Sequence, residues 1–193
     1  FAAMRYRIER PVFKSSGLSV ATREGGYGLT SETLLPRPMG KLPAALAAVV
    51  PVATAAIIGN FATMPNLTPW YESLAKPPFN PPNGVFGPVW TLLYVLMAWA
   101  FFRILRSPDG ALRRRAIAFF LVQMALNAAW SVAFFGFHSP LAGLVVILVL
   151  VTIIAATVHA FLAVDRIAGG ALVPYLGWVA FATLLNASIL WLN

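Results

Sequence analysis

From residue 42 onward the chain alternates between long apolar stretches and short polar interruptions. The apolar stretches run over roughly 42–62, 86–106, 114–137, 140–163 and 170–192. A helix rises about 1.5 Å per residue, so about 20 apolar residues cross the roughly 30 Å hydrocarbon layer of a bilayer. The pattern predicts an all-α integral membrane protein, a five-transmembrane-helix bundle over residues 40–193. The first and second spans are separated by a long Pro/Trp-rich loop, about residues 64–86. Pro65, Pro69, Pro77, Pro78, Pro81 and Pro82 fix many φ angles there, so the loop should form a stiff lid. Pro51 interrupts the first span and should kink it unless neighbouring groups take up the freed carbonyl. The remaining connections are short, which predicts that consecutive helices are antiparallel neighbours.

Residues 1–39 read differently. SSGLS, REGGYG and PRP predict a disordered N-terminal extension, and no apolar run is long enough for the core of a cleavable signal peptide. Met39 directly precedes GKLPAALAAVV, so translation starting there would make 1–38 dispensable. Glu9, Glu24 and Glu32 argue against an organellar transit peptide, and the expectation is a bacterial membrane.

Composition agrees with a membrane protein: 60% hydrophobic residues, 10% charged and a mean hydropathy of +0.79. The net charge of +8 is not spread over a soluble face, so no nucleic-acid partner is expected. Thirteen of the 14 Lys and Arg flank one side of the five spans, and Lys76 alone flanks the other. By the positive-inside rule the N-terminus is cytoplasmic, with the first loop and the C-terminus on the opposite side.

Chemistry-bearing residues are few. The chain has no Cys, and none of its six acidic residues sits mid-span or pairs with a His at ligand spacing. No metal site, no cofactor and no acid/base pair is expected, and GGYG lacks the context of a phosphate loop. Among candidates for chemistry His159 is the only ionisable one within a span, and it is expected to be a buried, hydrogen-bonded packing residue.

Within the spans, polar and aromatic residues fall on defined faces. Trp90, Tyr94 and Met97 share one face of the second span, and Trp178, Ala182 and Asn186 one face of the fifth, with Tyr175 a turn from Trp178. These rings form either an interfacial aromatic belt or the wall of an internal cavity. In the third span Gln123, Asn127 and Trp130 share a face that should point into the bundle, because a lipid-exposed amide is costly. Such amides either bind a ligand or join helices. Ala125, Ala129 and Ala133 form a small-residue row on the other face, an internal contact or, slightly preferred, a homodimer seam.

These motifs together resemble the TspO/MBR family. The resemblance covers about residues 42–192 and rests on WYESLAKPPFNPP with FGPVWTLLY, on QMALNAAWSVAFFG, and on PYLGWVAFATLLN, in that order. It implies a five-helix bundle whose first loop covers a cavity for porphyrins and other tetrapyrroles, the whole acting as a membrane receptor or sensor rather than an enzyme. It also implies that Trp90 and Trp178 are the pair tied to porphyrin binding and to light-dependent porphyrin degradation, with Tyr94, Asn127, Ala182 and Trp70 at further site positions. Degradation, and transport of porphyrin or lipid, are the alternative activities. Gln123, Trp130 and Asn186 join the candidate binding set, and Lys76, with Asn80 and Asn83, is the candidate contact for ligand carboxylates.

Two departures stand out. Many relatives carry Trp where Pro78 or Phe79 stands here, so the lid keeps an aromatic ring but loses an indole donor. A sterol motif after the fifth span needs Tyr followed by Lys or Arg, and ATLLNASILWLN has neither.

Overall fold

The computed structural model describes residues 39–193, so the N-terminal extension to residue 38 lies outside the described residues. Helix α1 (Lys41–Thr63) runs without a break through Pro51. Met64–Asn66 forms a 3-10 turn, the chain then kinks at Thr68, which is extended (φ −121°, ψ 129°), and residues 69–71 turn again, so the first half of the lid is two short turns joined at a kink. After a short return, α2 (Asn83–Arg106) starts directly behind Pro81-Pro82, whose lack of N–H groups suits a helix start. It ends at Ser107, which Pro108 holds in the extended region.

Helix α3 (Ala111–Ser131) continues into a π turn over Val132–Gly136. His138 then reverses the chain with φ of 51°, and the Ser139 hydroxyl caps α4 (Pro140–Val164) by accepting from the Ala142 N–H. Asp165 caps the short α5 (Arg166–Ala171), accepting from the Ile167 and Ala168 N–H groups. Helix α6 (Val173–Leu192) completes the fifth span. Among the described residues, five segments are thus long and apolar enough to cross a membrane.

Helix contacts define a ring in which α1 touches α2, α2 touches α5 and α6, α6 touches α4, α4 touches α3, and α3 returns to α1. The consecutive helices α2 and α3 are therefore not close partners along their length. They do meet where Phe101 stacks on Phe120 at 4.0 Å, and Phe161 joins at 5.8 Å. The ring is packed shut at this end. All described basic residues except Lys76 lie at this end too. There Arg103 pairs with Asp165 at 2.7 Å, and Arg113 donates to the Ile104 and Leu105 carbonyls that end α2.

Two expectations are corrected. Ala125 and Ala129 face outward, but Ala133 is buried with 7% exposure, because it lies in the π turn, which packs against both α1 and α4. The small-residue row is thus shorter than its spacing implied. His159 is exposed on the outer side of α4 rather than buried in the bundle. In an all-apolar helix, hydrophobic spacing does not say which face meets lipid.

Candidate functional site

At the lid end the ring opens around a cavity of about 580 Å³. Helix α2 supplies Trp90 and Tyr94 to the wall, α6 supplies Trp178, Ala182 and Asn186, and the end of α3 supplies Trp130, Phe134 and Phe135. Leu67 and Tyr71, on either side of the lid's kink at Thr68, also line it. The π turn that removed Ala133 from the surface also turns both phenylalanines inward. Trp130 packs on Phe134 at 5.6 Å, and Phe134 on Phe135 at 4.9 Å.

The wall is held by amides that are already committed. The Trp130 indole N–H donates to Asn186 Oδ1 at 3.2 Å, while the Asn186 amide donates to the Pro140 carbonyl at 2.8 Å. Below the wall, Tyr94 donates to Asn127 Oδ1 at 3.5 Å and Asn127 donates to the Tyr175 hydroxyl at 3.0 Å. Trp90 rests on this layer, 5.3 Å from Tyr94 and 6.4 Å from Tyr175. Trp178 is braced by Phe86 at 5.8 Å and Phe181 at 5.7 Å.

The candidate set therefore divides. Trp90, Tyr94, Trp130, Trp178, Ala182 and Asn186 line the cavity together. Asn127 sits one layer behind them, and Gln123 lies deeper in α3, fully buried and off the wall. Trp70 packs outside the cavity, stacked on His138 at 4.6 Å and edge-on to Phe134 at 5.5 Å. Lys76 does not reach the lining. Its ammonium donates to the Glu72 and Leu74 carbonyls and lies 4.7 Å from the centre of the Tyr71 ring. Phe79 packs against Phe181 at 6.3 Å with half its surface exposed, so the lid departure does not touch the cavity.

No Asp, Glu, Lys, Arg or His lines the cavity, and no acid/His/Cys cluster that could hold a metal occurs among the described residues. The polar atoms on the wall are neutral amides and hydroxyls, among them Asn60, Thr63, Asn83 and Thr91. Such a site can bind a large flat apolar molecule by stacking and orient it by a few hydrogen bonds. Sequence reasoning missed Phe134, Phe135 and the α1 contribution. An Ala-rich helix with one Asn offers no aromatic signal, and the π turn is not written in the hydrophobic spacing.

The sequence profile of the TspO/MBR family matches residues 47–192. The chain belongs to the TspO/MBR family. It is thus an integral, multi-pass membrane protein. It is 44% identical over 127 residues to the tryptophan-rich protein TspO of Chlorobaculum tepidum, covering 64% of this chain and 79% of the relative. With the tryptophan-rich protein TspO of Archaeoglobus fulgidus the identity is 40% over 154 residues, or 79% of this chain and 97% of the relative. The human translocator protein is 38% identical over 119 residues, 61% of this chain and 70% of that protein. Each motif of the TspO/MBR resemblance supplies at least one residue of the cavity wall: Tyr71, Trp90, Trp130 and Trp178.

Proposed function

We propose that this TspO/MBR protein is a membrane receptor or sensor that takes a porphyrin-type tetrapyrrole into the lid-end cavity. One observation carries the reading: a neutral cavity of about 580 Å³ presents Trp90 and Trp178 on two different helices, with Trp130 beside them. Its volume lies within the roughly 300–1,000 Å³ usual for small-molecule sites. Each indole stacked on a flat macrocycle contributes about 0.5–1.5 kcal/mol beyond area burial. The names of two relatives, tryptophan-rich sensory protein and translocator protein, point to sensing or transport rather than to catalysis.

The test is a titration with protoporphyrin IX, followed by the shift of the porphyrin's own absorbance. A Trp90→Phe, Trp178→Phe double variant should bind roughly ten-fold more weakly, since Phe keeps part of the stacking. Unchanged affinity would remove the cavity as the binding site.

A second reading, light-driven degradation of the bound porphyrin, draws on the contact of Trp90 with the buried Tyr94–Asn127–Tyr175 layer, a row of oxidisable rings. Under illumination in air, bleaching faster than that of free porphyrin and lost in the double variant supports this reading. Bleaching at the free-dye rate removes it.

A further inference from the structure

The cavity wall is strongly asymmetric. On the α3 and α6 sides it is built from large packed rings, whereas α1 and α2 contribute only small side chains, Ala56, Asn60 and Thr63 from the one and Asn83, Gly84, Gly87 and Thr91 from the other. The two helices are in close contact only in the half near the basic end, where Ala44, Ala48 and Val52 join one core with Leu93, Met97 and Ala100. From Asn83 to Leu92 no residue of α2 is buried. A Cβ added at Gly84 or Gly87 would meet no atom within 4 Å. The helices therefore part toward the lid end and leave a slot.

This slot opens toward lipid. Its flanks are the exposed apolar side chains of Ile57 (56%) and Phe61 (76%) on α1 and Val85 (39%) and Leu92 (59%) on α2. Helix α2 has 24 residues, and at 1.5 Å per residue it spans about 36 Å against a hydrocarbon layer of about 30 Å. Its first turn, with Asn83, Gly84 and Gly87, thus lies where acyl chains give way to headgroups. Asn60 and Asn83 place neutral amides at that depth.

The axial way out is fastened. The Asn193 side chain accepts from the Ala75 N–H at 3.0 Å and donates to the Ala75 carbonyl at 3.1 Å. On the other side of the lid His138 Nε2 lies 2.7 Å from Asn66 Oδ1, and its ring stacks on Trp70. Asn66 Nδ2 already donates to the Ala62 carbonyl, so Asn66 Oδ1 is the acceptor and His138 the donor.

We propose that the ligand enters and leaves sideways, through the slot between the lid-end halves of α1 and α2, from the leaflet on the lid side. The site then selects amphiphiles that already reside in that leaflet: a flat apolar body slides past Gly84 and Gly87, while its polar edge stays with Asn60 and Asn83. The proposal rests on the binding reading above for the identity of the ligand, but not for the existence of the slot.

The chain has no cysteine, so introduced thiols are unique. In nanodiscs, an Asn60→Cys, Asn83→Cys variant is bridged across the slot with a bis-methanethiosulfonate reagent, and protoporphyrin IX association and dissociation are followed by stopped flow. Bridging should slow both rates about ten-fold or more relative to the same variant after reduction. A His138→Ala, Asn193→Ala variant, which frees the lid, should leave both rates unchanged. Bridging without effect, or faster exchange on freeing the lid, overturns the slot. A nitroxide at Ala182→Cys gives a ligand-free measurement: collisions with lipid-soluble oxygen should exceed those with an aqueous nickel chelate, and the reverse overturns the slot. Failure of protoporphyrin IX to bind at equilibrium would instead remove the binding reading, with the nitroxide result still deciding the slot.

Discussion

Gln123 and Asn127 are neighbours on one face of α3, yet their amides meet opposite fates. Asn127 is used on both sides, accepting from Tyr94 and donating to Tyr175. Gln123 is fully buried, and neither its Nε2 nor its Oε1 has a hydrogen-bond partner. An unpaired buried amide costs about 1–3 kcal/mol, and an apolar residue of the same shape removes that cost. Gln123→Met should therefore raise the unfolding midpoint in detergent by an amount equivalent to about 1–3 kcal/mol, measured by thermal or SDS titration. A lower midpoint would mean that the amide has a partner such as an internal water. The inward direction of both amides was legible in the sequence, because lipid excludes them. Which one is satisfied was not, since that depends on two tyrosines brought in by α2 and α6.

Helix α4 governs the site through a residue that is not on its wall. Gly143 lies so close to α3 and α6 that a Cβ there would stand 2.8 Å from Phe134 Cδ2 and 2.9 Å from Asn186 Oδ1. Gly143→Ala should destabilise the bundle by about 1–3 kcal/mol, as overpacking does. Because Phe134 and Asn186 line the cavity, it should weaken porphyrin binding as well; a thermal melt and the titration above check both. At the other end of α4, Asp165 joins the α4–α5 junction to α2. Partial burial pushes its carboxyl up, but the Ala168 N–H, the Arg103 guanidinium and the Ile167 N–H outweigh this and hold it below the ordinary carboxylate range. A carboxyl lower in the folded than in the unfolded chain contributes stability that is complete above about pH 4 and is lost as pH falls through the folded value. The unfolding midpoint should thus drop on acidification below about pH 4, and Asp165→Asn should be less stable at neutral pH and flatten that drop. Equal acid sensitivity in the variant would contradict the assignment. The Arg103 partner of Asp165, 62 positions earlier, is a product of the ring.

The described residues form a ring shut at its basic end by stacked phenylalanines and open at its lid end around aromatic walls. The sequence leaves the tryptophans of α2 and α6 open between an interfacial belt and a cavity wall, whereas the number of spans, the polarity of the charges and the Pro-rich lid come from it alone. Each depends on a local balance between side-chain chemistry and a bilayer of fixed thickness. Tertiary structure decided the order of the helices in the ring, the inward turn of Phe134 and Phe135, the outward place of His159, the distance of Lys76 from the cavity and the slot between α1 and α2. In a bilayer the lipid-facing and protein-facing sides of a helix are both apolar, so hydrophobic spacing does not separate them. The fit of small residues, turns and a few amides against particular neighbours does separate them, and those neighbours exist only once the helices have assembled.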